Sequence, residues 1–263
     1  MAKRTLDLTP QPGEMLKPKE LIEVRGTGRF TLEDRRLYNA LVNNAWGPKL
    51  GQAGYVFEIP TGELRTLVGD NQRLKKSLKV LMTTLVEIEE PDRWRASQLL
   101  GATEVDTTAN SGVVRYTFPA FLADLLKDST IFAKLDLEVM RSFRSKYAFS
   151  LYEAVARRVR MKRFTENLTI EGLREVLGVE DGKLEVYKNL NKYAVQPAVI
   201  EVNAITPYTV SIVPKKQGRR VASFIMGWEV KTEEQLQAAY SEMNRHSAGR
   251  KSRVTSTEEK VTE

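Results

Sequence analysis

The feature that most limits what this chain can fold into is an internal repeat. The segment GELRTLVG, Gly62 to Gly69, aligns with EGLREVLG, Glu171 to Gly178, and the elements around both copies follow in the same order. In the first copy, Thr31 can cap a helix whose apolar stripe is Leu37, Tyr38, Leu41, Val42, Ala45 and Trp46, stopped by Gly47 and Pro48. After a short apolar stretch from Tyr55 to Ile59, a cap at Thr61 opens a short helix ending near Gly69. An amphipathic helix from Gln72 to Glu87 follows, then a β region from Trp94 to Phe118 with a polar turn at Thr107 to Gly112, read as a hairpin.

The second copy begins with a helix from Met140 to Arg160, burying Phe143, Tyr147, Leu151, Tyr152, Val155 and Val159. A short helix from Thr169 ends at Gly178, and a third helix begins near Gly182. Two strands, Tyr208 to Val213 and Arg220 to Val230, then flank a turn at Lys215 to Gly218. A helix, a short helix closed by glycine, a third helix with a charged outer face and a hairpin together describe a helix-turn-helix with a wing. The expected fold class is therefore α+β, mainly α, with two tandem winged-helix domains. Residues 1–25 are expected to be a flexible arm, 26–130 the first domain, 131–243 the second, and 244–263 a disordered polar tail.

A winged helix has a physical use on double-stranded DNA: the third helix fits the major groove while the wing lays cations on phosphates or in the minor groove. The candidate recognition helix of the second copy reads DGKLEVYKNLNKYAVQ. Leu184, Tyr187, Leu190 and Ala194 share its inward face, leaving Lys183, Lys188, Asn189, Asn191, Lys192 and Gln196 outside. Asn and Gln can pair with adenine and Lys can contact guanine, whereas a merely solvated face usually mixes Glu with Lys. The wing KKQGRR supplies Lys215, Lys216, Arg219 and Arg220 around Gly218. Hairpin tips are also basic for solubility alone, but here a helix of matching polarity precedes the tip. In the first copy Arg73, Lys75, Lys76 and Lys79 are cationic without neighbouring amides, suited to backbone contacts more than to reading. Arg157, Arg158, Arg160, Lys162 and Arg163 could touch the DNA backbone or be a solvated helix end.

Composition narrows the alternatives. The 263 residues carry 41 Lys and Arg against 34 Asp and Glu, a net charge of +7 that suits a polyanionic partner. There is no cysteine, so disulfides, thiolate metal sites and a thiol nucleophile are excluded. The one histidine, His246, lies in a polar C-terminal stretch, so neither a paired-histidine metal centre nor a Ser-His-Asp triad can be expected. No phosphate-binding G-x-x-x-x-G-K-[ST] loop occurs. No metal, cofactor or enzymatic activity is expected. With no apolar run of signal-peptide or membrane-span character, a cytoplasmic location is expected.

The run from Tyr187 to Val230 resembles the C-terminal winged-helix domain of replication initiators of iteron-containing, theta-replicating plasmids. The pattern is carried by Tyr187, Leu190, Pro197, Ala198, Glu201 and Asn203, then by the turn residues Lys215, Lys216, Gly218 and Arg219. SKYAFSLYEAV, Ser145 to Val155, and the LREVLGV that follows look like the same domain. Val202 departs mildly, standing where many members have Ile. Lacking an N–H, Pro197 is also expected to kink or restart the helix after Gln196. The resemblance implies binding to directly repeated origin sites as a monomer, help in melting adjacent DNA, and recruitment of the host initiator and replicative helicase. It further implies dimers, formed through the first domain, that repress the protein's own promoter and so serve plasmid copy control. A winged-helix transcriptional repressor without an origin role is the rival reading.

Overall fold

A computed structural model describes residues 9–23, 26–90, 92–108, 111–218, 220–250 and 252–254. The chain divides between Lys134 and Leu135 into two compact units. The first contains β1 (Glu14–Pro18), α1 (Lys19–Ile22), α2 (Leu32–Asn44), β2 (Phe57–Pro60), α3 (Thr61–Val68) and α4 (Asn71–Thr83). It continues with β3 (Leu85–Glu90), β4 (Arg93–Gln98), β5 (Thr103–Val105), β6 (Val113–Tyr116) and α5 (Ala120–Asp128), and the division falls inside β7 (Phe132–Asp136). The second holds α6 (Leu137–Ser142), α7 (Lys146–Arg158), β8 (Thr165–Leu168), α8 (Ile170–Leu177) and α9 (Tyr187–Leu190). A π turn (Asn191–Val195) leads from α9 into α10 (Gln196–Ile205), followed by β9 (Tyr208–Gln217), β10 (Arg220–Val230) and α11 (Glu233–Met243). Each unit is a winged helix, and the class is α+β, mainly α.

In the first unit, Thr31 and Asp34 form a reciprocal capping box that starts α2. The apolar stripe of α2 meets α3 and α4 through fully buried Leu37, Leu41, Leu64, Leu74 and Leu81. The sheet order is β2-β6-β5. It is tied to α2 by the buried Tyr116 hydroxyl, which donates to the Leu41 carbonyl at 2.6 Å and accepts from Asn44 Nδ2 at 3.1 Å.

Four expectations for this unit need correction. The third helix stops at Thr83 instead of Glu87. The Thr83 and Thr84 hydroxyls bond back to the Lys79 and Val80 carbonyls, and the Arg29 guanidinium donates to Thr84 Oγ1 at 2.7 Å. The next residues alternate as the strand β3 against β4, so the β region is two separate hairpins, β3–β4 and β5–β6. Thr61 is the first residue of α3, whose cap position is Pro60; its hydroxyl bonds instead to the Asp106 carbonyl at 2.8 Å. Within the segment read as a flexible arm, residues 14–18 form β1, with Met15 and Leu16 buried and Lys19 N donating to the Ile131 carbonyl. The isolated apolar pair had no periodic neighbours to reveal it.

In the second unit, the helix expected from Met140 to Arg160 is broken at 143–145. Asp136 caps α6 and Ser145 caps α7, and between them Phe143 leaves helical geometry to pack on Phe149 and Tyr152. The sheet order is β8-β10-β9, with Phe224 opposite Leu168 and Trp228 opposite Val210. The described part of the expected tail also departs from disorder. Arg250 is buried, donating to Glu201 Oε1 at 3.2 Å and to the Ser142 carbonyl at 3.3 Å, while Arg253 grips Glu242 through two nitrogens. Glu201 in turn accepts from the Arg144 and Ser145 N–H groups. Burial pushes its carboxyl pKa up, against the lowering pull of those N–H groups and of Arg250. Composition made this segment look solvated because its buried charges satisfy one another only in the folded state.

Candidate nucleic-acid interface

The helix-turn-helix of the second unit is built from α8 and the helical run beginning at Tyr187. Thr169 Oγ1 accepts from Gly172 N at 3.0 Å to open α8. Gly178 closes it at φ +62°, a left-handed geometry favouring glycine. The loop after it is held by one side chain: Arg174 donates to the carbonyls of Leu184, Lys183 and Glu180 at 3.0, 2.6 and 3.1 Å. That loop includes Leu184 at φ +52° and delays the helix to Tyr187. Lys183, expected on the recognition helix near Gly182, therefore lies on the loop before it.

Pro197 stands in the first turn of α10, where α-helical geometry resumes after the π turn. The chain stays helical from Tyr187 to Ile205, and the missing N–H is absorbed by the π turn, in which Gln196 N bonds to Asn191 O. Leu190, Ala194, Val195 and Ala198 are buried. Lys188, Asn189, Lys192, Tyr193 and Gln196 are exposed along one stripe, and Asn191 is half-buried. Of the residues expected on this face, four share it, Asn191 sits at its margin and Lys183 is off the helix.

The wing is longer than expected, because β9 extends to Gln217 and carries Lys215 and Lys216 within the strand. Both are exposed, as is Arg220 at the start of β10; Gly218 turns the tip at φ +63°. Lys215 Nζ reaches Asn167 Oδ1 at 3.3 Å. Arg219 lies outside the described residues. Among the basic residues at and beyond the end of α7, Arg158 is buried and bonded to Glu166 at 2.7 Å, so it serves the fold.

In the first unit, α4 is capped by Asp70, buries Leu74, Ser77, Leu78 and Leu81, and exposes Arg73, Lys75, Lys76 and Lys79. Arg73 is drawn toward Asp70 at 3.6 Å. Gln72, also exposed, gives this helix one amide at its first turn. The β5–β6 turn, residues 106–112, contains no Lys or Arg. The nearby Arg115 is spent between Glu58 at 2.6 Å and Glu104 at 3.1 Å, which hold its pKa up.

Sequence reasoning left out Arg174, Tyr193 and Gln72. Arg174 occupies the repeat position of Arg65, but nothing in the repeat reveals a loop eight residues long behind it. Tyr193 fell between the buried stripe and the polar list, and only its exposure assigns it to the outer face. Among the described residues, no group of three or more His, Cys, Asp or Glu could hold a metal ion, and no helix is long and apolar enough to cross a membrane.

Two winged helices in tandem, the second with an exposed amide-and-lysine helix beside a cationic wing, define a DNA-binding protein. The chain belongs to the initiator Rep protein family: residues 14–156 match the model described as "Initiator Replication protein, WH1" and residues 169–228 match "Initiator Rep protein, WH2". The first match runs past the division at Lys134 into α7. This is the family that the run from Tyr187 to Val230 resembles. The "Crystal structure of Pi initiator protein in complex with iteron DNA" is similar over 86% of this chain and 100% of that one, at 16% identity and a TM-score of 0.60, a likeness of fold. No curated protein sequence matches the chain.

Proposed function

We propose that this protein initiates plasmid replication by binding directly repeated origin sites, iterons, in double-stranded DNA through its second unit. The observation that carries the proposal is the joint presentation of Lys188, Asn189, Lys192 and Gln196 on one helix face with Lys216 and Arg220 on the wing. Among the described residues none of these cations has a carboxylate partner. A face used only for solubility would carry balancing carboxylates. Family membership favours the origin role over that of a repressor. The likeness to a structure of an initiator on iteron DNA supports the same partner.

The finer roles follow the family resemblance. The first unit supplies backbone contacts through Arg73, Lys75, Lys76 and Lys79 and self-association to a dimer. The exposed Leu85 and Trp94 on its β3–β4 hairpin support that second role. The monomer helps to open the origin and brings in the host initiator and replicative helicase. The dimer represses the protein's own promoter. The protein acts in the cytoplasm through binding equilibria, without catalysis.

The test is a titration of the DNA flanking the gene. Affinity for the direct repeats should exceed that for random duplex, and should fall by roughly 10³ between about 50 and 200 mM salt if six or more phosphates are contacted. A nearly flat salt profile would overturn the electrostatic part of this proposal. Loss of plasmid maintenance when the repeats are scrambled separates an initiator from a repressor.

A further inference from the structure

The core of the second unit claims Leu190, Ala194, Val195 and Ala198 from the helical run that starts at Tyr187. What remains outside is not uniformly polar. Tyr193 stands among the polar side chains of the outer face with 53% of its surface exposed. Asn189 lies one turn before it and Gln196 about one turn after. A solvated face gains nothing from a large ring, whereas taking that ring out of water against a partner is favourable.

The ring is also restrained before any partner arrives. Lys192 Nζ lies 5.1 Å from its centroid, within cation–π range. The backbone that aims it belongs to the π turn that precedes Pro197. Restraint of this kind reduces the entropy lost on binding.

In the major groove, adenine offers an acceptor–donor pair to Asn or Gln and guanine offers two acceptors to Lys. Thymine alone presents a methyl group. An aromatic ring set between amides and a lysine can therefore distinguish one base edge in particular. We infer that Tyr193 is a specificity-determining residue that reads a thymine through its C5-methyl group, beside the bases faced by Asn189 and Gln196. This inference rests on the proposed DNA-binding role of the second unit.

The test uses the full chain and duplexes carrying the flanking repeats, with each thymine replaced in turn by uracil, which removes the methyl group and keeps the pairing. One replacement per repeat should weaken binding roughly fourfold, the scale of one buried methyl-sized group. Tyr193→Phe should keep that dependence. Tyr193→Ala should bind normal repeats more weakly and be indifferent to the same replacement, with circular dichroism unchanged. Indifference of the unaltered protein to every replacement would overturn the inference, and so would a Tyr193→Ala protein that still senses uracil. A loss in Tyr193→Phe with no uracil effect would do so too, assigning the hydroxyl to the DNA backbone instead. Absence of any preference for the repeats would overturn the proposed function as well, and is told apart because no specific complex forms at all.

Discussion

The two helix-turn-helix motifs begin from similar eight-residue segments, identical at three aligned positions, and end with different equipment. In the first, α4 is a regular helix with four cations outside, and its wing turn holds no cation while Arg115 is consumed by Glu58 and Glu104. In the second, Arg174 braces the loop, a π turn reshapes the helix, amides and Tyr193 join the lysines outside, and the wing keeps its cations free of carboxylates among the described residues. A shared scaffold thus says little about division of labour. What separates a surface able to grip from one able to read is which outward side chains can pair with bases and which cations are already neutralised.

The largest expected effect concerns what keeps the second unit folded. Arg250→Ala removes the guanidinium from buried Glu201, and breaking one side of a buried pair costs about 3 kcal/mol even with two N–H donors still on the carboxylate. With Trp46 and Trp94 replaced by Phe, the buried Trp228 becomes the only tryptophan and its fluorescence follows the second unit. The urea midpoint of that signal should fall sharply in Arg250→Ala. An unchanged midpoint would mean that residues 244–254 are the solvated tail that composition suggests.

A smaller effect should separate the two outer helix faces. Lys192→Ala should cost about 1–3 kcal/mol on the repeats and less on random duplex, as expected for a side chain near base edges. Lys76→Ala, on α4, should cost under about 1 kcal/mol and equally on both DNAs, since a phosphate contact carries no sequence information. Competition binding with repeat and random duplexes measures both. Equal losses for Lys192→Ala would move the reading elsewhere, and a repeat-specific loss for Lys76→Ala would make the first unit a reader.

How much of this was legible in the sequence follows a physical line. The helix-turn-helix frame was readable because its determinants are local: caps at Thr31 and Thr169, glycines at 69 and 178, and the apolar stripe through Leu74, Leu78 and Leu81, although Leu85, expected inside on the same stripe, is exposed at the start of β3. What escaped depended on distant partners. Thr83 and Thr84 end α4 partly because Arg29, more than fifty residues away, donates to Thr84. Pro197 looked like a helix break because a π turn is not encoded by any periodicity. Its consequence reached the site, since the same turn leaves Asn191 half-buried and Lys192 and Tyr193 outside. Arg250 looked like a tail residue because Glu201, its partner, is 49 positions away.

The smallest expected effect bears on the wings, and it tests the contrast where the sequence alone is most ambiguous. Lys216 is exposed on β9 and has no carboxylate partner among the described residues, so on DNA it can displace a condensed counterion. Replacing it with Ala should lower the slope of log affinity against log salt by about one, with similar weakening on repeats and random duplex. Arg115 is the cation nearest in sequence to the first wing turn, yet Glu58 and Glu104 neutralise it before DNA arrives, so Arg115→Ala should leave the slope unchanged. The pair of measurements is informative only together. If both substitutions lower the slope, Arg115 exchanges its carboxylates for phosphate and the first wing is a gripping element after all. If neither does, the cations at the second wing face solvent and counterion release comes from the helices alone.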